Sequence, residues 1–290
     1  MKILILGAGG MLGHQIAKTL HSRFPKSVYG MIRKPKSHYE KYGFLPQERF
    51  FDGIDVLETE ALLRLLDEVR PQWIVNCVGI TLRKSESKNF SKCMEINAVL
   101  PHRLALWARH NEAKVIHFGT DCVFDGKKGS SYKDFDQPTA TDLYGTSKYL
   151  GEITDPFSLT LRLSIVGREL DSNSELVEWF LQQKGKTIKG FSQTIYSGLS
   201  TPTVAKEVAR IIQDHPQLSG LYQVASEPIS KYDLLQLLNE HFANNTTIER
   251  EDQHISNKSL DFERYAAKTG FRPPSWSEMI KELAEQDSLL

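Results

Sequence analysis

The chain opens with an unbroken apolar run, Ile3–Leu6, between a lysine and a glycine. A run this short, followed by a turn residue, reads as a strand buried on both faces. GHQIAKTLHSRF follows with apolar positions at helical spacing, and SVYGMI is a second short strand. The alternation continues. DVLETEALLRLLDEV is a helix, PQWIVNCVG a strand, and CMEINAVLPHRLALWARHN a helix. KVIHFGT is then a strand, DLYGTSKYLGE a helix and SLTLRLSIV a strand. Strands alternating with amphipathic helices predict an α/β fold with a parallel sheet covered on both faces. Right-handed crossovers make that sheet doubly wound.

The rhythm loosens after Val166. Helices SELVEWFLQQ, TPTVAKEVARIIQDH, KYDLLQLLNEHF and SWSEMIKELAEQ alternate with short strands such as GLYQVA. This divides the chain into a Rossmann-type nucleotide-binding domain over residues 1–165 and a smaller, partly interleaved substrate lobe over 166–290. Segments near 191–212 are expected to return to the first domain. The tail QDSLL is expected to fray.

The first turn carries the first chemistry. Residues 7–13 read GAGGMLG and lead from a strand into a helix. Gly7, Gly10 and Gly13 are spaced by three, Gly9 adds a further bare position, and Met11 and Leu12 complete the loop. Glycines here permit a tight turn and let backbone amides approach a pyrophosphate at a helix N-terminus. The plain alternative is a tight turn with no ligand. An NAD site usually offers a carboxylate at the end of the second strand. This chain offers Arg33, Lys34 and Lys36 instead, which suits a phosphate on the ribose. NADP(H) is therefore the expected cofactor, with NAD(H) also open.

Composition narrows the partners. Of 290 residues 40% are hydrophobic and 25% charged, as in a packed globular protein, and the 36 basic residues balance the 36 acidic ones. No polyanion is implied, so neither nucleic acid nor an acidic membrane is the expected partner. Cys77, Cys93 and Cys122 form no paired or metal-binding pattern, which fits reduced thiols in a cytoplasm and no metal site. No apolar run reaches the roughly 18–20 residues that span a bilayer.

Tyr144 and Lys148, in YGTSK, lie one turn apart on a predicted helix. An ammonium beside a phenol favours the phenolate, so the phenol becomes a better proton donor. A solvated helix face is the competing account. Thr120 ends the strand KVIHFGT, at the strand terminus where open α/β sheets bind ligands, and Asp121 and Cys122 follow it. His14 reads as a helix-surface residue and His117 as a sheet histidine. Trp179 and Phe180 read first as packing, although they fall in the lobe expected to receive a base; Tyr196 and Ser197, in TIYSGLSTPT, are further candidates to face a substrate.

GAGGMLG, VNCVG, EINAVLP, FGTDCVFDG and DLYGTSKYLGE together resemble the extended short-chain dehydrogenase/reductase family, and within it the dTDP-4-dehydrorhamnose reductase branch. The resemblance implies a Thr120–Tyr144–Lys148 catalytic set, with Asn97 supporting Lys148. It places Asp55 and Val56 near adenine, Cys77, Val78 and Gly79 beside the cofactor, and Ser164 and Ile165 near the nicotinamide. Cys122 stands where the branch often has tyrosine, and Arg83 and Lys84 stand in another variable segment. Asp121, Cys122, Arg83 and Trp179 are the candidate contacts to substrate. The implied activity is NADPH-dependent reduction of a 4-keto group on a nucleotide-activated deoxysugar for surface polysaccharide. A non-catalytic, cofactor-binding regulatory subunit and a sugar-nucleotide epimerase are the alternatives. A homodimer is left open.

Overall fold

The computed structural model describes residues 1–287. The chain divides into two compact units: Met1–Gly119, Asp142–Leu161 and Val204–Leu221 form the first, and the remaining residues form the second. Ser288–Leu290 of the expected fraying tail lie outside the described residues, whereas Gln286 and Asp287 still belong to the helix Trp276–Asp287.

The first unit is built on a parallel sheet of β1 (Ile3–Leu6), β2 (Val28–Met31), β3 (Phe50–Phe51), β4 (Trp73–Asn76), β5 (Lys114–Phe118) and β6 (Ser158–Arg162). The strand order is β6-β5-β4-β1-β2-β3, with Gly220–Gln223 as a seventh strand beyond β6. The fold is thus a Rossmann-like, mostly parallel sheet flanked by helices. All four β1 residues are fully buried, which explains the unbroken apolar run. Leu4 and Leu6 face a cluster that includes Leu62, Leu66, Leu104 and Ala108, drawn from α2 (Thr59–Val69) and α4 (Leu100–His110). On α1 (Met11–Arg23), Ile16, Ala17 and Leu20 are buried.

The expected helix over CMEINAVLPHRLALWARHN is interrupted. α3 (Phe90–Cys93) passes through one π turn, Met94–Val99, into α4. Pro101 has no N–H to return to the Asn97 carbonyl, so a regular α-helix cannot continue through this point. That carbonyl is where α5 (Leu143–Leu150) ends: a Cβ built on Gly151 would overlap the Asn97 oxygen. Likewise SLTLRLSIV, expected as one strand, breaks into β6 and a two-residue strand, Ile165–Val166.

The second unit carries small sheets. Ile165–Val166 pairs in parallel with Leu199–Ser200, and Thr187–Phe191 pairs in parallel with Thr247–Glu251. Its helices are α6 (Leu176–Leu181), α8 (Lys231–His241), α9 (Glu263–Thr269) and α10 (Trp276–Asp287); α7 (Thr201–Asp214) crosses the division in the chain. Val123, Phe124, Tyr132, Ala225 and Leu260 form one core, with Phe124 and Tyr132 stacked 4.0 Å apart. No helix among the described residues is long and apolar enough to cross a membrane, and no group of three or more His, Cys, Asp or Glu side chains there could hold a metal ion.

Gly151→Ala should be costly, because the added methyl group meets backbone rather than a flexible side chain. We expect a loss of about 1–3 kcal/mol. The urea midpoint measures it, with an exposed alanine substitution on α4 as the reference.

Candidate active site

In the first unit, β1 delivers Gly7 in the left-handed region, φ +76°, which favours glycine. Its amide and that of Ala8 donate to the Met31 carbonyl at 3.1 and 3.0 Å, tying the loop to the end of β2. A Cβ on Gly13 would overlap the Gly7 carbonyl, so α1 can approach the loop only without that side chain. Gly10 is the helix N-cap and has no side-chain hydrogen bond to offer, and no acidic residue occupies the first turn. The terminal amides of α1, at Met11 and Leu12, therefore face a position without built-in negative charge, the condition an anion requires. Val78 and Cys77 close the loop from β4, with Val78 Cγ2 3.0 Å from a Cβ built on Gly7. Gly79 is exposed at the same strand end. Arg33 and Lys34 are exposed just beyond β2. Asp55 binds the Leu57 amide at 3.0 Å and Val56 is buried. Arg83 is exposed.

His14 departs from expectation. It is buried, not on the surface, because Phe44 packs edge-on against its ring at 6.0 Å. Its Nδ1 donates to the Gly10 carbonyl at 2.9 Å. Burial lowers its pKa to about 4, opposed by the Gly10 bond and aided by Lys18. His117 is a sheet histidine, buried and 3.2 Å from the Asn76 amide, and burial together with Lys148 keeps it neutral.

α5 begins where Asp142 accepts from the Gly145 amide at 2.9 Å. Tyr144 is half-buried and Lys148 buried, one turn apart. Lys148 Nζ donates to the Phe118 carbonyl at 2.6 Å. Burial brings its pKa down to about 8, with Glu152 opposing. Asn97 holds the helix from below. Its amide donates to the Ile80 carbonyl at 3.0 Å and to Ser147 Oγ at 3.2 Å, and its oxygen accepts from the Ile80 amide at 2.9 Å. Asn97 thus grips the residue adjacent to Lys148 rather than the ammonium itself. The Phe118 carbonyl carries no side-chain identity, so sequence patterns could not single it out.

In the second unit, Thr120 starts a short turn. Its Oγ1 accepts from the Cys122 amide at 3.2 Å and donates to Asp121 Oδ1 at 3.1 Å. Both Thr120 and Asp121 are buried. Burial raises the Asp121 carboxyl, against Lys258 and hydrogen bonds from Thr120, Cys122 and Ser164. It also pushes the Cys122 thiol up to about 12 and raises the Tyr196 phenol, with Ser164 bonded to the phenol. Ser164 thus gathers Asp121 and Tyr196 into one polar cluster. Ile165 follows it on the short strand, and Trp179 sits half-buried on α6, whose core residues are Val177 and Phe180. Tyr196, which the sequence offers with Ser197 as a candidate to face the substrate, joins this cluster through Ser164.

The family model described as "RmlD substrate binding domain" matches residues 1–288. A dTDP-4-dehydrorhamnose reductase of Aggregatibacter actinomycetemcomitans is 26% identical, covering 97% of this chain and 98% of its own. A probable low-salt glycan biosynthesis reductase, Agl14 of Haloferax volcanii, is 28% identical over 78% of this chain and 75% of its own. The solved dTDP-4-dehydrorhamnose reductase of Bacillus anthracis in complex with NADP superposes with a TM-score of 0.80 at 20% identity, covering 98% of this chain and 99% of that one, a likeness of fold.

The buried His14 gives a pH test. Its folded pKa of about 4 lies below the ordinary 6.5, so protons favour the unfolded chain as pH falls through that window. Stability attributable to His14 is complete above pH 6.5 and is lost progressively down to about pH 4. Between pH 7 and pH 5 the loss should be about 2 kcal/mol. Unfolding curves of wild type and His14→Phe at the two pH values isolate it: the variant should lose less stability on acidification by that amount.

Proposed function

The chain belongs to the RmlD substrate-binding-domain family, and from that premise we propose that it reduces a 4-keto group on a nucleotide-activated deoxysugar for surface polysaccharide. The glycan and rhamnose-pathway reductases among its relatives support that reading. Within the chain, the carrying observation is Lys148: a buried ammonium fixed on the Phe118 carbonyl, one helical turn from Tyr144.

A nicotinamide dinucleotide fits the glycine cradle, whose bare positions and uncapped helix terminus suit its pyrophosphate. Gly7, Gly9, Gly10, Met11, Leu12 and Gly13 would hold it, with Cys77, Val78 and Gly79 beside them and Asp55 and Val56 toward adenine. When bound, this cofactor supplies the hydride. Tyr144 gives its phenolic proton to the substrate's carbonyl oxygen as charge gathers there. Lys148 stays charged below about pH 8 and favours the phenolate left behind. Asn97 keeps the helix in place through Ser147 and Ile80. Thr120 is proposed as a second donor to the same oxygen, its single hydroxyl hydrogen turning to it from Asp121 Oδ1, with Asp121, Cys122, Arg83 and Trp179 toward the sugar nucleotide and Ser164 and Ile165 toward the nicotinamide. Arg33 and Lys34 favour a phosphate on the cofactor's adenosine, hence NADP(H).

The direct test is NADPH consumption on a panel of dTDP- and UDP-linked 4-keto-6-deoxysugars. A regulatory subunit would bind the cofactor and turn over none of them; an epimerase would purify with its cofactor retained. Tyr144→Phe should lower turnover by about 10²–10⁴-fold and leave the Kd for NADPH nearly unchanged. Rates should fall as pH rises past about 8, where Lys148 loses its charge. Arg33→Ala should weaken NADPH binding roughly tenfold while NADH binding stays near the wild-type value. Titration of both cofactors at one salt concentration decides that point.

A further inference from the structure

The stretch that follows Lys34, PKSHYEKYGF, has no place in the reaction described above. It forms a 3₁₀ helix, Lys36–Tyr42, that folds back along the first unit. Lys34 Nζ lies 3.3 Å from His38 Nε2, so the helix returns to the basic residues that precede it. Tyr39 is the buried residue of this helix. Its ring is wedged among aromatic neighbours: edge-on to Phe44 at 6.0 Å, tilted on Phe50 at 6.3 Å and edge-on to His38 at 5.0 Å. Phe44 in turn rests on His14 of α1. Packing of this kind fixes the position of the ring.

The hydroxyl points elsewhere. A Cβ built on Gly9 would overlap Tyr39 Oη, Cζ and Cε1. Gly9 is bare, therefore, because the Tyr39 phenol occupies the place of its side chain. The phenolic oxygen lies against the middle of the glycine loop, between the left-handed Gly7 and the N-cap Gly10. The parallel register pairs Leu6 with Met31, so Arg33 and Lys34 leave the sheet beside that same loop. The Tyr39 hydroxyl thus lies on the loop, and Arg33 and Lys34 follow the neighbouring strand end.

We propose that Tyr39 is a cofactor-binding residue whose hydroxyl donates a hydrogen bond to the phosphate on the adenosine ribose, completing a site with Arg33 and Lys34. This rests on the dinucleotide reading above and goes beyond it by naming a neutral donor that discriminates the two cofactors. A phenolic O–H to phosphate is a charge-assisted hydrogen bond, and a ribose hydroxyl in the same position gains less from it. Gly9 belongs to the same device, since any side chain there displaces the phenol.

The test uses two fragments that lack the nicotinamide, adenosine 2′,5′-bisphosphate and ADP, so it does not depend on turnover. Calorimetric Kd values are measured on the full-length wild type and on Tyr39→Phe, which keeps the ring packing. Unfolding midpoints are measured in parallel to show that the variant is folded. The expected result is a loss of about tenfold in affinity for the bisphosphate and less than twofold for ADP. Equal losses for both fragments, or no loss, would overturn the assignment while leaving the dinucleotide reading intact. A wild type that binds ADP and the bisphosphate equally would also overturn it. A wild type that binds neither fragment would overturn both the assignment and the dinucleotide reading.

Discussion

A buried ammonium has to be bonded, and in this chain that requirement organises the candidate site. Lys148 meets it on the Phe118 carbonyl, at the end of a strand whose next residues leave the sheet. Reaching that oxygen sets how α5 lies on the first unit. The remaining contacts accommodate that placement. Asn97 bonds Ser147 and both backbone groups of Ile80. Gly151 gives up a side chain so that the helix can end on the Asn97 carbonyl. Pro101 opens the π turn at that same carbonyl. Desolvation is the cost, visible in the lowered lysine pKa.

What the sequence disclosed follows from where periodicity exists. β1 is buried on both faces and reads as an apolar run; α2 buries Leu62, Leu65, Leu66 and Val69 at helical spacing. These elements were legible because one repeating pattern decides them. The 3₁₀ helix at Lys36–Tyr42 has no such repeat, and α9, Glu263–Thr269, is too short to establish one. The break after Arg162 was invisible because apolar residues continue through it. His14 misled for a related reason. Its spacing on α1 marks an outer position, but a neighbouring loop without periodicity covers it. The glycine loop and the Tyr-Lys helix were legible as chemistry because spacing alone specifies them. The Phe118 carbonyl, the Ser164–Tyr196 contact and the Tyr39–Gly9 contact come from tertiary proximity.

The two units solve different electrostatic problems. The first keeps cations at the mouths of strands and an uncapped helix terminus, an arrangement suited to phosphates. The second pulls Thr120, Asp121, Cys122, Ser164 and Tyr196 together with burial that resists ionisation. Under the proposed function such a cluster would recognise uncharged hydroxyl-bearing groups by hydrogen bonds, and each unpaired member would penalise a ligand lacking the matching group.

That resistance to ionisation reaches the cysteines. Burial raises the pKa of Cys77, Cys93 and Cys122 alike, and only the thiolate reacts readily with peroxide or alkylating agents. Cys122 is partly exposed, yet desolvation raises its thiol pKa, so less of it is thiolate at neutral pH and it is a weaker nucleophile than an ordinary cysteine.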